Sequence, residues 1–304
     1  MRSLLIVAAL FCCAPVYALS YTIEKDSDLV GEMQSYTVVK NDTFAEIARK
    51  FDLGILELQE ANPKIDRNKK LAVGTTLIIP TYFILPSAPR EGIVLNVAEL
   101  RVYYYPANSD QVYTYPVGIG QMGWKTPVGK TTIVQKRANP VWIPPPSIHA
   151  EAARNGRSLP AYVPAGPKNP LGLYALNFGW TNYRMHGTNA PGSVGLRSSH
   201  GCIRMLPEDI DSLFHQVEVG TKVNVIHEPF KVGVKDGNMY LEAHQPFPEE
   251  YYNKSEEDDA VLAEVVSVGL TDEDYDDDNE VNWSEARKLI KDTYGYPVMI
   301  TNID

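Results

Sequence analysis

Three residues between positions 186 and 202 carry side chains suited to nucleophilic catalysis. They are His186, His200 and Cys202, in the segment MHGTNAPGSVGLRSSHGCIRM. A cysteine attacks as its thiolate, and a neighbouring imidazole can take the thiol proton. His200 is two residues from Cys202, so in a strand both side chains share one face. His186 is sixteen residues upstream, enough for a strand, a turn and a return. Spacing alone does not choose between the two histidines.

The N-terminus has the pattern of a secretory signal peptide. Arg2 supplies a positive charge, residues 4–13 are apolar, and residues 16–18 (Val-Tyr-Ala) form a small-residue cleavage site. The apolar run is too short for a membrane anchor. We therefore expect residues 1–18 to be removed after Ala18 and the mature chain to be exported.

Export makes Cys202 the lone thiol of the mature chain. The sequence has 3 cysteines, and Cys12 and Cys13 lie in the predicted signal peptide. An unpaired cysteine in an exported protein is a candidate reactive thiol. Two alternatives stay open at this point: an inert, buried cysteine, or a zinc site with His186 and His200 as further ligands. No CxxC pair supports the zinc site.

Length and composition indicate a two-domain globular protein. The 304 residues are 44% hydrophobic and 22% charged, with a formal net charge of −10. A nucleic-acid partner is not expected, because such binders need a basic surface. After the N-terminus there is no run of about 18 apolar residues, so no membrane span is expected in the mature chain.

Residues 36–80 have the pattern of a small β-α-α-β unit. Thr43 and Glu46 form a capping box at the start of a first helix. A second helix is predicted over 55–61, and strands are predicted over 36–39 and 75–79. With YTVVKNDTFAEIARKF, ANP and VGTTLIIP, the unit resembles the LysM module, which implies binding to the glycan of peptidoglycan or chitin.

Residues 91–227 are mainly β in pattern. Short β-rich runs alternate with turn residues, and one amphipathic helix is predicted over 207–217. We expect a mostly antiparallel barrel or sandwich with this one helix. The proline-rich stretch 140–170 is predicted to be a long ordered loop, because proline donates no ladder hydrogen bond. Loops of this length are commonly lids or binding loops.

The C-terminal extension, residues 228–304, contains an acidic segment over 249–280. This segment has fourteen acidic residues and one lysine, and such runs are usually solvated. A Ca²⁺ loop in DEDYDDDNE is a weak alternative, because the loop glycine is missing. A short helix over 283–292, with Ser284 as a candidate cap, and a strand over 296–300 are predicted to follow.

Residues 91–227 resemble the catalytic domain of the L,D-transpeptidases, which has the YkuD-type fold. The resemblance is carried by the HGT and SHGCIRM motifs, VLNVAELRVYYYP, the TPVGK turn, NPVWIPPPS and PKNPLG. It implies that Cys202 is the nucleophile and His186 the general base and acid, oriented by the Gly187 carbonyl. No metal or cofactor is implied.

The resemblance also assigns roles around the cysteine. The backbone N–H groups of His200, Gly201 and Cys202 lie where the family builds its oxyanion hole, and one such donor is worth about 10²–10³ in kcat. Ser199 would hold the shape of the loop. Arg204 would bind a substrate carboxylate, because a guanidinium pairs bidentately with one.

The implied reaction is transfer of a peptidoglycan stem peptide. Cys202 would attack the third residue of a stem tetrapeptide, release D-Ala and form a thioester that an amine resolves. The order of LysM and catalytic domain favours the Gram-negative, periplasmic branch, whose acceptor is a lysine of an outer-membrane lipoprotein. Stem-to-stem 3→3 cross-linking, hydrolysis as an L,D-carboxypeptidase or lipoprotein-releasing enzyme, and a non-catalytic wall-binding protein are the alternatives.

Overall fold

The computed structural model describes residues 18–245, 247, 261, 263 and 281–301. The predicted signal peptide up to residue 17 lies outside this range. So do most of the acidic segment 249–280 and the Ca²⁺-loop alternative within it. In the part of the chain that is described, no helix is long and apolar enough to cross a membrane.

The described residues form the following strands and helices. The strands are β1 Leu19–Thr22, β2 Leu29–Thr37, β3 Thr76–Ile84, β4 Gly92–Asn96, β5 Arg101–Tyr105, β6 Gln111–Gly120, β7 Gly129–Ala138, β8 Tyr174–Phe178, β9 Arg184–His186, β10 Arg197–Ser199, β11 Ile203–Met205, β12 Lys222–Ile226, β13 Phe230–Lys235, β14 Asn238–Ala243 and β15 Val298–Met299. The helices are α1 Phe44–Lys50, α2 Ile55–Ala61, α3 Pro146–Arg154, α4 Pro207–Gln216 and α5 Trp283–Asp292.

The predicted β-α-α-β unit is formed by β2, α1, α2 and β3. The capping box at α1 is confirmed: Thr43 Oγ1 accepts from the Glu46 N–H at 3.2 Å, and the Thr43 N–H donates to the Glu46 carboxylate at 3.2 Å. β2 and β3 pair antiparallel over 9 residues each. Both strands are longer than predicted, because they continue beyond the helical pair to pack against the rest of the chain.

A closed β-barrel forms the next unit. Its strands follow the order β4-β5-β6-β11-β9-β8-β7-β12, and β12 pairs with β4 to complete the ring. Most pairs are antiparallel, as predicted, while β9–β11 and β12–β4 are parallel. β1 and β10 add to β6. Buried apolar side chains from the barrel strands and from α4 fill the interior.

The barrel unit contains two α-helices, where one was predicted. α4 lies within the predicted range, but α3 lies in the proline-rich stretch that was expected to be a loop. Pro146 occupies the first turn of α3, where its missing N–H costs nothing, and the following SIHAEAAR favours a helix. The prolines therefore mark the start of this helix instead of excluding one.

The C-terminal unit is a three-stranded sheet, β13-β14-β15, covered by α5. α5 spans the predicted residues, but its N-cap is Asn282, whose side chain accepts from the Glu285 N–H at 3.0 Å. Ser284 lies inside the first turn and is not the cap. The helix packs on the sheet through Ala286, Leu289 and Ile290.

Candidate active site

The parallel pairing of β9 with β11 brings the distant halves of the motif together. Arg204 in β11 lies in register with His186 in β9, and Cys202 immediately precedes β11. Both His186 and Cys202 line one cavity of about 440 Å³. The sixteen residues from His186 to Cys202 let the chain leave β9, form β10 and come back in β11, which lies beside β9 in the barrel and runs parallel to it.

His186 is a buried, neutral imidazole with one nitrogen committed to the backbone. Its Nδ1 lies 2.6 Å from the Gly187 carbonyl oxygen. A carbonyl can only accept, so Nδ1 carries the proton and Nε2 keeps its lone pair in the neutral ring. Burial lowers the pKa of His186 to about 4, and the nearby Arg204 and Arg184 act in the same direction. Near pH 7 this histidine is a free base.

Cys202 is a neutral thiol at rest. Burial raises the pKa of its thiol, while the guanidinium of Arg184, a backbone hydrogen bond from Arg184 and the guanidinium of Arg204 oppose that rise. Its Sγ lies 3.5 Å from the Asn182 carbonyl oxygen. Because burial dominates, the site holds a thiol and an imidazole instead of a thiolate–imidazolium pair. Attack therefore requires proton transfer to a base.

His200 has a different environment from His186. Its Nε2 lies 2.5 Å from Oε2 of Glu151 in α3, and its ring meets Trp124 edge-on at 4.9 Å between centroids. This histidine therefore holds α3 against the loop that carries Cys202. The two histidines therefore differ in their contacts: Nε2 of His200 is engaged by Glu151, whereas His186 bonds to Gly187 through Nδ1.

The loop before Cys202 is held by two hydroxyl groups. Ser199 Oγ donates to the Cys202 carbonyl at 2.5 Å and accepts from the Gly201 N–H at 3.1 Å. Thr126 Oγ1 donates to the Gly201 carbonyl at 3.0 Å. Gly201 has φ +98°, and a Cβ there would lie 2.9 Å from the Tyr183 ring. Glycine is therefore needed at this position.

The Gly201 N–H is not available as an oxyanion donor in this structure. Ser199 already accepts from it, so the expectation for this one amide is corrected. Gly201 instead shapes the loop through its positive φ, and the Ser199 hydroxyl bonds to two backbone groups of the same loop. The corresponding amides of His200 and Cys202 stay as candidate donors.

Three residues of the site were not singled out from the sequence. Arg184 lies two residues before His186 in β9, and strand alternation was the signal that could have found it. Thr126 lies in the TPVGK turn. Glu151 reaches the site only because α3 folds over the cavity, where it meets His200, and no local pattern indicates this contact.

Arg204 lines the same cavity as Cys202 and His186. Its Nη1 donates to Ser198 Oγ at 3.1 Å. Together with Arg184 it places two guanidinium groups on the wall near Cys202. Such a pair is suited to substrate carboxylates.

The zinc alternative at the cysteine finds no support in the contacts. His200 is bound to Glu151, and the Nδ1 of His186 is bound to Gly187. Within the described ranges, the group of three potential metal ligands that do lie close together is elsewhere: Glu99, Glu242 and His244. The ammonium of Lys231 lies among these groups, 2.7 Å from Glu99 and 2.8 Å from Glu242, so this cluster is an ion-pair network.

Comparison with known proteins identifies the family. Residues 90–225 match the L,D-transpeptidase catalytic domain (YkuD), and residues 36–80 match the LysM domain. The Escherichia coli protein named "Probable L,D-transpeptidase ErfK/SrfK" is 40% identical over 301 residues, covering 97% of this chain and 95% of that protein. "Probable L,D-transpeptidase YbiS" of the same organism is 46% identical over 239 residues, covering 77% and 78%. The chain belongs to the L,D-transpeptidase family.

A relative from a second organism agrees with this assignment. "Probable L,D-transpeptidase ErfK/SrfK" of Salmonella typhimurium is 41% identical over 291 residues, covering 93% of this L,D-transpeptidase and 92% of that protein. Among solved structures, L,D-transpeptidase 3 from Mycobacterium tuberculosis is 15% identical, with a TM-score of 0.35, covering 52% of this chain and 77% of that one. The family assignment rests on the sequence relatives. This L,D-transpeptidase is therefore an enzyme with a mainly β catalytic barrel and a LysM domain.

Proposed function

We propose that this L,D-transpeptidase forms a thioester between Cys202 and the third residue of a peptidoglycan stem tetrapeptide. The observation that carries the proposal is one cavity lined by both a neutral Cys202 thiol and a neutral His186 with its Nδ1 committed to Gly187. A free imidazole nitrogen beside a thiol is the arrangement that general-base activation requires.

In the proposed acylation, the Cys202 proton passes to His186 Nε2 as Sγ bonds to the carbonyl carbon of the third residue. The C–N bond to the terminal D-Ala then breaks, and the imidazolium gives its proton to the leaving amine. The low pKa of His186, about 4, makes this imidazolium a strong acid. The acceptor amine resolves the thioester by the same steps in reverse order.

Backbone amides and two guanidinium groups would complete the site. The N–H groups of His200 and Cys202 are proposed as oxyanion donors, since the Gly201 N–H is engaged by Ser199. Arg204 and Arg184 line the same cavity. They are proposed to bind carboxylates of the stem peptide, which orients its third residue toward Cys202.

The proposed acceptor is the side-chain amine of a lysine in an outer-membrane lipoprotein. The order of LysM and catalytic domain, the IRM ending and the NPVWIPPPS segment support it, as does close similarity to proteins of Escherichia coli and Salmonella typhimurium. In the structure, this segment contributes Trp142, Ile143 and Pro145 to the cavity wall. It is therefore placed to contact an incoming chain.

The LysM domain and the L,D-transpeptidase domain together support binding to peptidoglycan and a location at the cell wall. We place the enzyme in the periplasm, after removal of residues 1–18. The LysM domain would hold the glycan while the catalytic cavity works on the attached stem. No metal or cofactor takes part in the proposed chemistry.

Intact-mass measurement tests the acyl-enzyme. The purified enzyme, incubated with stem tetrapeptide, should gain the mass of the stem without its D-Ala. The Cys202→Ala variant should gain nothing, and His186→Gln should acylate on the order of 10²–10⁴ times more slowly. Acylation of Cys202→Ala would overturn the assignment of the nucleophile.

Muropeptide analysis of a deletion strain tests the acceptor. Loss of muropeptides that carry the lipoprotein-derived lysine supports lipoprotein attachment. Loss of 3→3 dimers with the lysine adducts intact would assign the enzyme to stem cross-linking. Loss of free tripeptide stems alone would assign it to hydrolysis.

A further inference from the structure

Two buried carboxyl groups, one from the LysM domain and one from α4, lie together. Asp52 lies between α1 and α2 of the LysM domain, and Asp209 lies in the first turn of α4, which follows β11. Each is 1% exposed. Oδ1 of Asp52 and Oδ2 of Asp209 have no hydrogen-bond partner among the other described residues, and the two carboxyl groups lie close enough to share a proton. Burial raises the pKa of both carboxyl groups, that of Asp52 to about 6. The negative charge of Glu57 adds to the rise at Asp52, and that of Asp52 adds to the rise at Asp209.

The guanidinium group of Arg101 lies near this pair but is already bonded to another carboxylate. Arg101, fully buried, binds the Glu57 carboxylate through Nε and Nη2 at 2.8 Å each. It reaches Asp52 through the backbone carbonyl, at 2.9 Å from Nη2. Three buried carboxyls, Asp52, Glu57 and Asp209, therefore share one guanidinium. A buried carboxylate without a cation is costly, so this place favours a further positive charge.

A backbone nitrogen bonds to one member of this carboxyl pair. The N–H of Leu19 donates to Asp52 Oδ2 at 3.1 Å. Leu19 is the first residue of β1 and lies in register with Thr114 of β6. Thr114 Oγ1 in turn accepts from Arg101 Nη1 at 2.9 Å. Leu19 also directly follows Ala18, the predicted end of the signal peptide, so the nitrogen at the carboxyl pair is the one that cleavage there would free.

We propose that Asp52 and Asp209 form a buried ammonium-binding site, and that its occupant is the α-ammonium of Leu19 in the processed chain. Hydrolysis of the Ala18–Leu19 bond by a processing peptidase consumes one water. The hydroxyl goes to the Ala18 carbonyl carbon, which becomes a carboxylate. The freed Leu19 nitrogen becomes an ammonium. The inference rests on the proposed export and on cleavage at this bond.

Cleavage would then change the charge of a buried site as well as the end of the chain. Before cleavage, the site holds one neutral amide donor, and afterwards it holds a positive charge with three donors. The ammonium pairs with a carboxylate of the LysM domain beside one from α4. Because α4 begins two residues after the strand that carries Arg204, export and cleavage would stabilise the seating of the LysM domain against the catalytic barrel.

The test compares two otherwise identical full-length mature proteins. One begins at Leu19, and the other carries Gly-Ser before Leu19, which keeps that nitrogen an amide. We expect the chain that begins at Leu19 to melt several degrees higher at pH 7. Asp52→Asn should remove the difference, whereas Asp110→Asn, an exposed carboxylate, should preserve it. Equal melting temperatures for the two unsubstituted chains would overturn the proposal.

A second measurement does not depend on the folding of a variant. The α-amine of the chain that begins at Leu19 should acylate with acetic anhydride at least tenfold more slowly than the exposed α-amine of the extended chain. Equal rates would overturn the proposal. N-terminal sequencing of the exported protein tests cleavage at the Ala18–Leu19 bond separately from the proposed transpeptidase function. A start elsewhere than Leu19 overturns this inference and leaves the transpeptidase function untouched.

Discussion

At the scale of single residues, both partners of the proposed catalytic pair are neutral. Burial raises the pKa of Cys202 and lowers that of His186 to about 4. A preformed ion pair would need the opposite shifts. In the proposed reaction, the thiol becomes nucleophilic as its proton moves to the imidazole.

The first prediction concerns Arg184, whose charge favours the Cys202 thiolate. Arg184→Gln removes that charge, so the thiol pKa should rise further and alkylation by iodoacetamide at pH 8 should slow on the order of tenfold. The measurement is the alkylation rate as a function of pH. Arg287→Gln, an exposed site on α5, is the matched control and should leave the rate unchanged. An unaltered alkylation rate in Arg184→Gln would contradict the inference that the charge of Arg184 lowers the pKa of the Cys202 thiol.

At the scale of elements, α3 lines the cavity, and a side chain in its second half holds it in place. The contact between Glu151 and His200 joins α3 to the loop of Cys202. Asn169, fully buried, donates to the Pro140 carbonyl at 2.7 Å and accepts from the Leu171 N–H at 2.8 Å, which fixes the base of the same segment. The proline-rich segment is therefore an ordered part of the cavity wall, held in place by hydrogen bonds.

The second prediction separates positioning from stability at α3. Glu151→Ala should slow acylation by the stem tetrapeptide about tenfold, because α3 loses its contact with the loop of Cys202. The melting temperature should change little, since each partner is 25% exposed and such pairs are worth about 0–1 kcal/mol. Glu151→Gln, which keeps a hydrogen-bonding oxygen, should recover most of the rate. A fall in melting temperature that fully explains the lost activity would show a merely structural role.

At the scale of the whole molecule, a buried ion network joins all three units. Lys231 of β13 donates to Glu99 of the barrel unit, to Glu242 of β14 and to the Ile84 carbonyl that ends β3. His244 bridges Glu242 at 2.8 Å and Glu60 of α2 at 3.1 Å. The C-terminal unit is thereby fastened to both the LysM domain and the catalytic barrel.

The third prediction removes the central cation of this network. Lys231→Met leaves Glu99 and Glu242 buried with less compensation and should lower the free energy of unfolding by about 3–5 kcal/mol. Lys222→Met breaks an ion pair with Glu91 in which both side chains are more than half exposed, and should cost at most about 1 kcal/mol. Denaturant unfolding of the two variants measures the contrast. Equal losses would mean that the buried network does not hold the units together.

The fourth prediction follows from His244. Burial alone would lower its pKa, but hydrogen bonds to Glu242 and Glu60 outweigh burial and raise it to about 10. Because the pKa is higher than in the unfolded chain, about 6.5, the stabilisation is complete below pH 6.5 and is lost as the pH rises toward 10. The difference in unfolding free energy between wild type and His244→Gln should therefore narrow from pH 6 to pH 10. A difference that stays constant over this range would contradict a charged His244.

The sequence by itself determined the local elements and the chemical groups. The capping box of Thr43 and Glu46, the helix at α4 and the strand alternation depend on neighbours a few residues apart, so they could be read directly. The SHGC motif likewise pointed to Cys202. α3 was missed, because the prolines around it were read as excluding a helix.

Only the tertiary structure decided which groups meet. His186 is distinguished from His200 by Glu151, which lies 49 residues from His200 in the chain. The contact of Leu19 with Asp52 spans 33 residues, and that of Lys231 with Glu99 spans 132. Such contacts exist because the barrel closes and the three units pack on one another, and no local periodicity records that closure. Burial of these same contacts then sets their pKa values, which sequence cannot supply because burial is a property of the packed whole.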